Sequence, residues 1–398
     1  MRVLFFGEAV TLAHVARPLA LARGLVDLGA DVIVATNAAR RSWVGALDLR
    51  FAELDCIEPA RFTDALARGD PVYDVATLQR YVEADRRLID TTRPDVVVGD
   101  FRLSLSVSAR LAKVPYATVT NAYWSPFTRV PFPLPVLPLS RRLPLPLAAL
   151  LFHLGRPVVM RSHCRPLNAV RESHGMNPLP ADLRVVYTDA DVVAYADDPA
   201  MFDMRPLPSG HHFLGPVLWS PPVAIPNVWG ALSDEMPVVY VTLGSSGSRS
   251  VLETVLQALA GEPVQVIASS AGDAGVRPRG AHQYIASYLP GEMATARAAL
   301  VVCNGGSMTT QQALVLGRPV LGIASNMDQF MNMAPLVQGG AGKCLRADRL
   351  TVSGVRSAVR TLLGSAEAAR CARQLGVRLE QAGPAVDRLA DLLRSAVA

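Results

Sequence analysis

Short apolar runs alternate with helix-length stretches in two separate series along this chain, and that alternation predicts an α/β protein of two doubly wound parallel-sheet domains facing a cleft. Length agrees. The 398 residues exceed one ordinary core and suit two domains of about 150–200 residues each. Composition agrees as well: half the residues are hydrophobic and 18% are charged, which is the balance of a well-buried globular chain and not of a disordered one.

The first series opens at Val3–Phe6, a strand, followed by a loop over 7–13 and a helix from His14 to Leu28 that Gly29 can stop. Strands follow at Val32–Thr36, Asp95–Gly99 and Tyr116–Thr120, with a helix at Ser104–Ala112. Seven prolines stand between Pro126 and Pro146. A segment so poor in N–H groups can be neither continuous helix nor inner strand, so an excursion on the surface or at a cleft is expected. A helical stretch from Leu147 to Ser173 comes next, and Val185–Ala194 reads as a late strand. Prolines 216, 221, 222, 226 and 237 mark 216–237 as a linker. The second series has strands at Val238–Thr242, Val264–Ala268, Ala299–Cys303 and Val320–Ile323, and helices at Val251–Leu259 and Thr309–Leu316. The domains are therefore 1–215 and 238–380, with 381–398 a terminal helix that can pack back on the first domain.

The formal charge of +5 and a pI near 9.1 favour anionic partners such as phosphates. No basic stretch is interleaved with aromatics, so nucleic acid is not expected as a partner. Five cysteines without a CxxC spacing indicate neither a disulfide framework nor a zinc site, and fit a reducing, cytoplasmic compartment. The opening apolar run is too short for a signal-peptide core, and no stretch reaches the length of a membrane span.

A dinucleotide site would need GxGxxG after the first strand and an acidic residue ending the second. The first loop reads Gly7-Glu8-Ala9-Val10-Thr11-Leu12-Ala13 and the second strand ends Ala35-Thr36-Asn37, so both requirements fail. Gly244-Ser245-Ser246-Gly247 and Asn304-Gly305-Gly306-Ser307 each follow an apolar strand and precede a helix. Small residues there let backbone N–H groups approach an anion, and the helix dipole favours negative charge. Ser307 and Thr309 can add hydroxyl donors. Two such loops at strand C-terminal ends suggest a diphosphate between them. Asp328-Gln329 offers a carboxylate beside an amide for sugar hydroxyls, or else a helix N-terminus. His14 and Asp100 both stand at strand C-terminal ends of the first series; an aspartate that holds the imidazole Nδ1–H would orient it as a base.

Together these residues resemble the GT-B fold glycosyltransferases, specifically the UDP-glycosyltransferase-like family that includes natural-product and macrolide-type enzymes. The resemblance is strongest from Val301 to Gly342: Cys-Asn-Gly-Gly-Ser-Met-Thr, then Ala-Leu-Val-Leu-Gly-Arg-Pro-Val, then Asn-Met-Asp-Gln, then Gly-Gly-Ala-Gly. Tyr288-Leu289-Pro290-Gly291 looks like the family's loop beside the nucleobase. Ala13-His14-Val15-Ala16-Arg17-Pro18 looks like its GH-x-x-P motif, with one extra residue before Pro18 and Ala13 for glycine. The resemblance implies two Rossmann-like domains, the first acceptor-binding and the second nucleotide-sugar-binding. It implies His14 as general base and Asp100 as its partner. Gly244, Ser245, Ser246, Asn304, Gly305, Gly306, Ser307 and Thr309 would meet the donor diphosphate. Tyr288, Leu289 and Gln312 would meet the nucleoside, and Asp328 and Gln329 the sugar. Asn304 stands where the family usually has histidine, and Gln312 where it often has glutamate.

The reaction so implied is inverting transfer of a sugar from a UDP- or dTDP-sugar to a hydroxyl of a small apolar or lipid-like acceptor, a hexosyltransferase of the EC 2.4 class. The domains would close over the cleft and exclude water. No DxD-like motif stands near the donor segment, so the expected cofactor set is empty: no metal, and the nucleotide sugar as co-substrate. The apolar, arginine-dotted stretch from Tyr123 to Leu151, with Arg129, Arg141 and Arg142, suggests either an acceptor pocket or peripheral contact with an anionic membrane. The rival readings are a nucleotide-sugar epimerase and a catalytically degenerate homologue acting as a binding or activating partner.

Overall fold

A strand that is apolar at every position must be covered on both faces, which a parallel sheet with crossover helices achieves. The computed structural model describes residues 1–226, 229–230, 232–244 and 247–398, so Ser245 and Ser246 of the expected phosphate loop lie outside the described residues. Among the described residues the strands form two sheets. The first joins β1 (Arg2–Gly7), β2 (Asp31–Thr36), β3 (Arg50–Glu53), β4 (Val96–Asp100), β5 (Tyr116–Thr120), β6 (Val192–Tyr195) and β7 (His211–Phe213) in the order 3-2-1-4-5-6-7. The second joins β8 (Val238–Thr242), β9 (Gln265–Ser269), β10 (Gln283–Ala286), β11 (Leu300–Cys303), β12 (Val320–Ala324) and β13 (Gly342–Arg346) in the order 10-9-8-11-12-13. Every pairing in both is parallel. Chain order reverses between β1 and β4, and again between β8 and β11. Those reversals are the places where doubly wound sheets bind ligands.

The chain divides into two compact units. One holds Met1–Val130, Leu143–Val217 and Ala382–Ala398; the other holds Pro131–Arg142 and Leu218–Gln381. The last helix, Ala385–Val397, lies in the first unit against the helix Ala13–Asp27, where Val386 meets Gly24 and Arg388 Nε donates to the Leu214 carbonyl at 2.9 Å.

Two stretches differ from the sequence expectation. Residues 185–194 are not one strand: a short helix, Leu183–Tyr187, precedes β6. Asp182 caps that helix by accepting from Arg184 N at 2.9 Å, and Asp191 turns away to accept from Tyr116 N at 2.9 Å. Part of the proline-rich segment leaves the first domain, to which the expected boundaries assign it. Phe132, Leu134 and Val136 are buried, and 131–142 belong to the second unit. Pro131, Pro133 and Pro135 remove N–H groups at alternate positions, and the remaining polar groups bond outward. Val136 N donates to the Ser325 carbonyl at 2.7 Å, Arg346 Nη1 to the Leu134 carbonyl at 2.7 Å, and Ser140 Oγ to Asp348 at 2.6 Å.

The first unit also buries a charged cluster beside β1 and β4. Arg102, Glu8 and Asp85 have fully buried side chains. Arg102 Nη1 donates to Glu8 at 2.6 Å and Nη2 to Asp85 at 2.8 Å. Its guanidinium lies 3.5 Å from the Tyr81 ring centroid, and Tyr81 donates to Glu8 at 2.9 Å. Burial pulls the Arg102 guanidinium down, but Asp85 and Glu8 outweigh it and hold the group well above its ordinary value. Burial pushes the Glu8 carboxyl up, and Arg102 and Tyr81 offset this only in part. Removing the cation strands two carboxyls, so Arg102→Met is expected to cost about 3–5 kcal/mol. Urea unfolding should read this as a lower midpoint at unchanged slope, partly recovered when Glu8→Gln is added.

Candidate active site

The register of the first sheet sets Gly7 of β1 opposite Asp100 of β4, so the loop after β1 and the end of β4 meet at the reversal of strand order. The helix Ala13–Asp27 begins there. Pro18, four residues beyond His14, has no N–H to give the His14 carbonyl. Gly7 approaches that oxygen instead: a Cβ on Gly7 would lie 3.0 Å from it. A larger residue at Gly7 would push the His14 turn away from the sheet.

His14 Nδ1 stands 2.7 Å from Asp100 Oδ1. With its proton on Nδ1 the imidazole donates to the carboxylate, and Nε2 is left to accept a proton. Asp100 is buried and has a second partner that sequence reasoning missed. Arg17 Nε donates to Asp100 Oδ2 at 2.8 Å and Nη2 to Oδ1 at 3.0 Å. Burial alone would push the Asp100 carboxyl up, but Arg17 and His14 outweigh it and hold it below the usual carboxylate range. Arg17 is the third residue after His14, on the same helix face, and that spacing is the signal that was available. Arg17 Nη1 continues to Asn121 Oδ1 at 2.6 Å, and Asn121 Nδ2 reaches Asp197 at 3.1 Å.

One face of the His14 ring is covered. Phe101 stacks on it with centroids 4.7 Å apart and planes at 16°. Phe101 follows Asp100 directly and has φ +58°, a strained value for a non-glycine residue. That turn sends Asp100 and Phe101 to two sides of one imidazole. Tyr187 meets Phe101 edge-on at 5.4 Å, and Trp124 meets Tyr187 at 4.9 Å. His14, Phe101, Tyr187 and Trp124 are all half-buried. The imidazole therefore sits at the end of a row of aromatic rings.

In the second unit the predicted residues collect at the C-terminal edge of the sheet. Cys303 of β11 pairs with Thr242 of β8, so the loops after these strands are neighbours. Asn304 Nδ2 lies 3.4 Å from where a Cβ on Gly244 would stand, and Asn304 Oδ1 accepts from Gly306 N at 3.0 Å. Gly305 has φ +88°, and a Cβ there would lie 2.8 Å from Met333 Cγ; this turn requires glycine. The helix Ser307–Val315 opens on Gly306, which has no side chain to cap its first turn. Ser307 is buried and Thr309 half-buried in that turn. Asn332, unforeseen from the sequence, ties this loop to the next helix: its Nδ2 donates to the Gly305 carbonyl at 2.8 Å and to Thr310 Oγ1 at 2.9 Å.

The helix Met327–Gln338 carries Asp328, half-buried, in its first turn. Asn326 caps it and Gln329 completes a capping box. Gln329 Oε1 accepts from Ser325 N at 2.7 Å, Ser325 Oγ at 3.0 Å and Asn326 N at 3.3 Å. The Gln329 oxygen thus holds its own loop, and the residue is buried. Gln312 is buried and its Nε2 donates to Ser220 Oγ at 3.1 Å. Ser220 also accepts from Glu292 N at 2.9 Å, which brings Gln312 beside the loop of Tyr288 and Leu289. Tyr288 donates to the Ala271 carbonyl at 3.3 Å, and the Leu289 side chain is buried. Among the described residues, no group of three or more His, Cys, Asp and Glu side chains is arranged to hold a metal ion.

Residues 238–381 match the glycosyltransferase family 28 C-terminal domain. Over 374 residues the chain is 46% identical to a PGL/p-HBAD biosynthesis glycosyltransferase of Mycobacterium tuberculosis, covering 94% of this chain and 87% of that one. It is equally 46% identical over 374 residues to a PGL/p-HBAD biosynthesis rhamnosyltransferase of Mycobacterium bovis, covering 94% and 83%. Among solved structures, spinosyn rhamnosyltransferase SpnG complexed with thymidine diphosphate superposes with a TM-score of 0.70 at 19% identity, over 98% of this chain and all of that one. At that identity the likeness is one of fold. The chain belongs to the GT-B fold, UDP-glycosyltransferase-like family, and it is a glycosyltransferase.

Proposed function

We propose that the protein transfers a sugar from a nucleoside-diphosphate donor to a hydroxyl of an apolar, ring-bearing or lipid-like acceptor, with inversion at the anomeric carbon. The observation that carries this reading is the His14–Asp100 contact at 2.7 Å at the end of a row of aromatic rings. Phe101, Tyr187 and Trp124 offer an acceptor an apolar wall. In the proposed step His14 Nε2 takes the acceptor hydroxyl proton as the oxygen bonds to the anomeric carbon. The bond from that carbon to the diphosphate oxygen breaks, and the nucleoside diphosphate leaves with the electron pair. Asp100 then stabilises the imidazolium, while Arg17 keeps the carboxylate ionised and fixed.

The donor reading rests on the second unit. Backbone N–H groups around Gly305 and Gly306, with the positive end of the helix Ser307–Val315, suit a diphosphate. Asn304 and Thr309 add polar side chains without a net charge. Gln312 and the Tyr288–Leu289 loop are assigned to the nucleoside, and Asp328 with Gln329 to the sugar. A relative that is a rhamnosyltransferase and a fold neighbour that holds thymidine diphosphate make a dTDP-deoxysugar the first donor to test.

His14→Ala is expected to lower turnover about 10²–10⁴-fold with little change in donor affinity. Asp100→Asn should impair turnover as well, because an amide facing Nδ1 no longer selects its protonated tautomer. Product formation on a panel of phenolic and lipid-like acceptors reads both, and full activity of His14→Ala would remove the base from the scheme. Thymidine or uridine diphosphate at about 100 times its Kd should stabilise the protein by about 2.7 kcal/mol, seen as a raised melting temperature. Gly305→Ala should lose most of that shift and should itself destabilise the fold by more than about 1 kcal/mol. No stabilisation by any nucleoside diphosphate would end the donor reading. Turnover should also persist in a strong chelator, since the leaving charge is assigned to N–H groups.

A further inference from the structure

The helix Leu145–Ser173 buries only one stripe, through Phe152, Met160, Cys164 and Leu167. Leu147, Leu150, Leu151, Leu154 and Val158 recur at three- and four-residue spacing on the opposite side. All five are exposed, Leu154 to 69% and Val158 to 73%. Single exposed leucines are ordinary on a protein surface; five along one stripe of one helix are a contiguous apolar face. The same stripe continues into Arg161 and Arg165, both exposed. No aspartate or glutamate occurs anywhere between Asp100 and Glu172.

We propose that this stripe docks on an anionic lipid surface, the helix lying in the plane of the interface. The leucines and Val158 would enter the acyl boundary, and Arg161 and Arg165 would meet the headgroup phosphates. Charge complementarity selects this occupant. A second copy of the same face would bring arginines but no carboxylate from the acid-free segment to meet them. Among the described residues no helix is long and apolar enough to cross a membrane, so the contact is one of lying on the surface. The proposal stands on the exposed stripe and its charges, independently of how the sugar-transfer site is read.

The test is flotation of the full chain with phosphatidylcholine vesicles and with mixed phosphatidylcholine–phosphatidylglycerol vesicles. Binding to the mixed vesicles is expected, weak on phosphatidylcholine alone and falling as salt is raised. Arg161→Gln with Arg165→Gln should lower partitioning roughly 30-fold. Leu154→Gln with Val158→Gln should lower it at least as far while the melting temperature stays unchanged, since both side chains face solvent. Three outcomes would overturn the proposal: no binding to mixed vesicles at low salt, equal binding to both vesicle types, or binding that neither double variant weakens. Self-association that depends on Leu154 and Val158, without vesicle binding, would give the stripe to a second copy and overturn it too.

Discussion

A carboxylate with almost no exposure must be matched by charge or hydrogen bonds from its own surroundings, and Asp100 is such a group. Arg17 answers with two hydrogen bonds and His14 with one. Because Arg17 and His14 sit on one helix and Asp100 ends β4, satisfying the carboxylate also fixes the angle at which that helix leaves the sheet. The network runs on through Asn121, just past β5, to Asp197, just past β6, and Asp197 also accepts from Ala122 N at 2.6 Å. One buried charge thus aligns the C-terminal ends of three strands. Its cost to His14 is a shared partner. The guanidinium already neutralises much of Asp100, and what the carboxylate gives His14 is tautomer and orientation.

The second unit meets the corresponding need with neutral groups. Asn304, Gln312, Gln329 and Asn332 hold its loops through amide hydrogen bonds. A carboxamide can satisfy backbone donors and acceptors without setting up a field of its own. At this sheet edge the fixed positive potential then comes from helix N-termini such as that of Ser307–Val315, which favour an anion. The Asn304 amide serves a loop built around its backbone, accepting from Gly306 N. Selectivity for charge would come from the helix dipole, and the amide would set direction.

Legibility in the sequence followed burial. β1, β4, β8, β11 and β12 are continuous apolar runs, buried over most or all of their length, and each was readable as a strand. β3 and β13, Arg-Phe-Ala-Glu and Gly-Lys-Cys-Leu-Arg, are edge strands with charged residues, and nothing in their composition separates them from loops. His14, Asp100 and the two small-residue loops were legible because their positions at strand ends are a consequence of the parallel topology. Phe101 and Asn332 were not: each acts through a contact with a distant part of the chain, and a lone phenylalanine or asparagine has no pattern to announce it. Arg17 carried one signal, its place three residues after His14 on the same helix face. Gln329 shows the opposite limit: the same residue spells both a sugar contact and a capping box, and the geometry engages its oxygen in the second.

The proline-rich segment shows why contiguous domain boundaries fail here. Residues 131–142 stand in the first half of the sequence but pack with the second unit. Their bonds fall on the segment before Asp328 and on the end of β13: Val136 N on Ser325, Ser140 on Asp348, and the Leu134 carbonyl on Arg346. Ser325 also gives its N–H and hydroxyl to Gln329, so the same residue is held from both sides, its carbonyl by the strap and its donors by the helix. Burial of Phe132, Leu134 and Val136 anchors that strap with apolar area, and alternate prolines keep it extended without unsatisfied N–H groups. The position of Asp328 is therefore set partly by residues that lie two hundred positions earlier. An exchange of 238–380 between relatives would carry the sheet, the glycine loops and Asp328, and would leave behind the hydrogen bond that holds the loop leading to it.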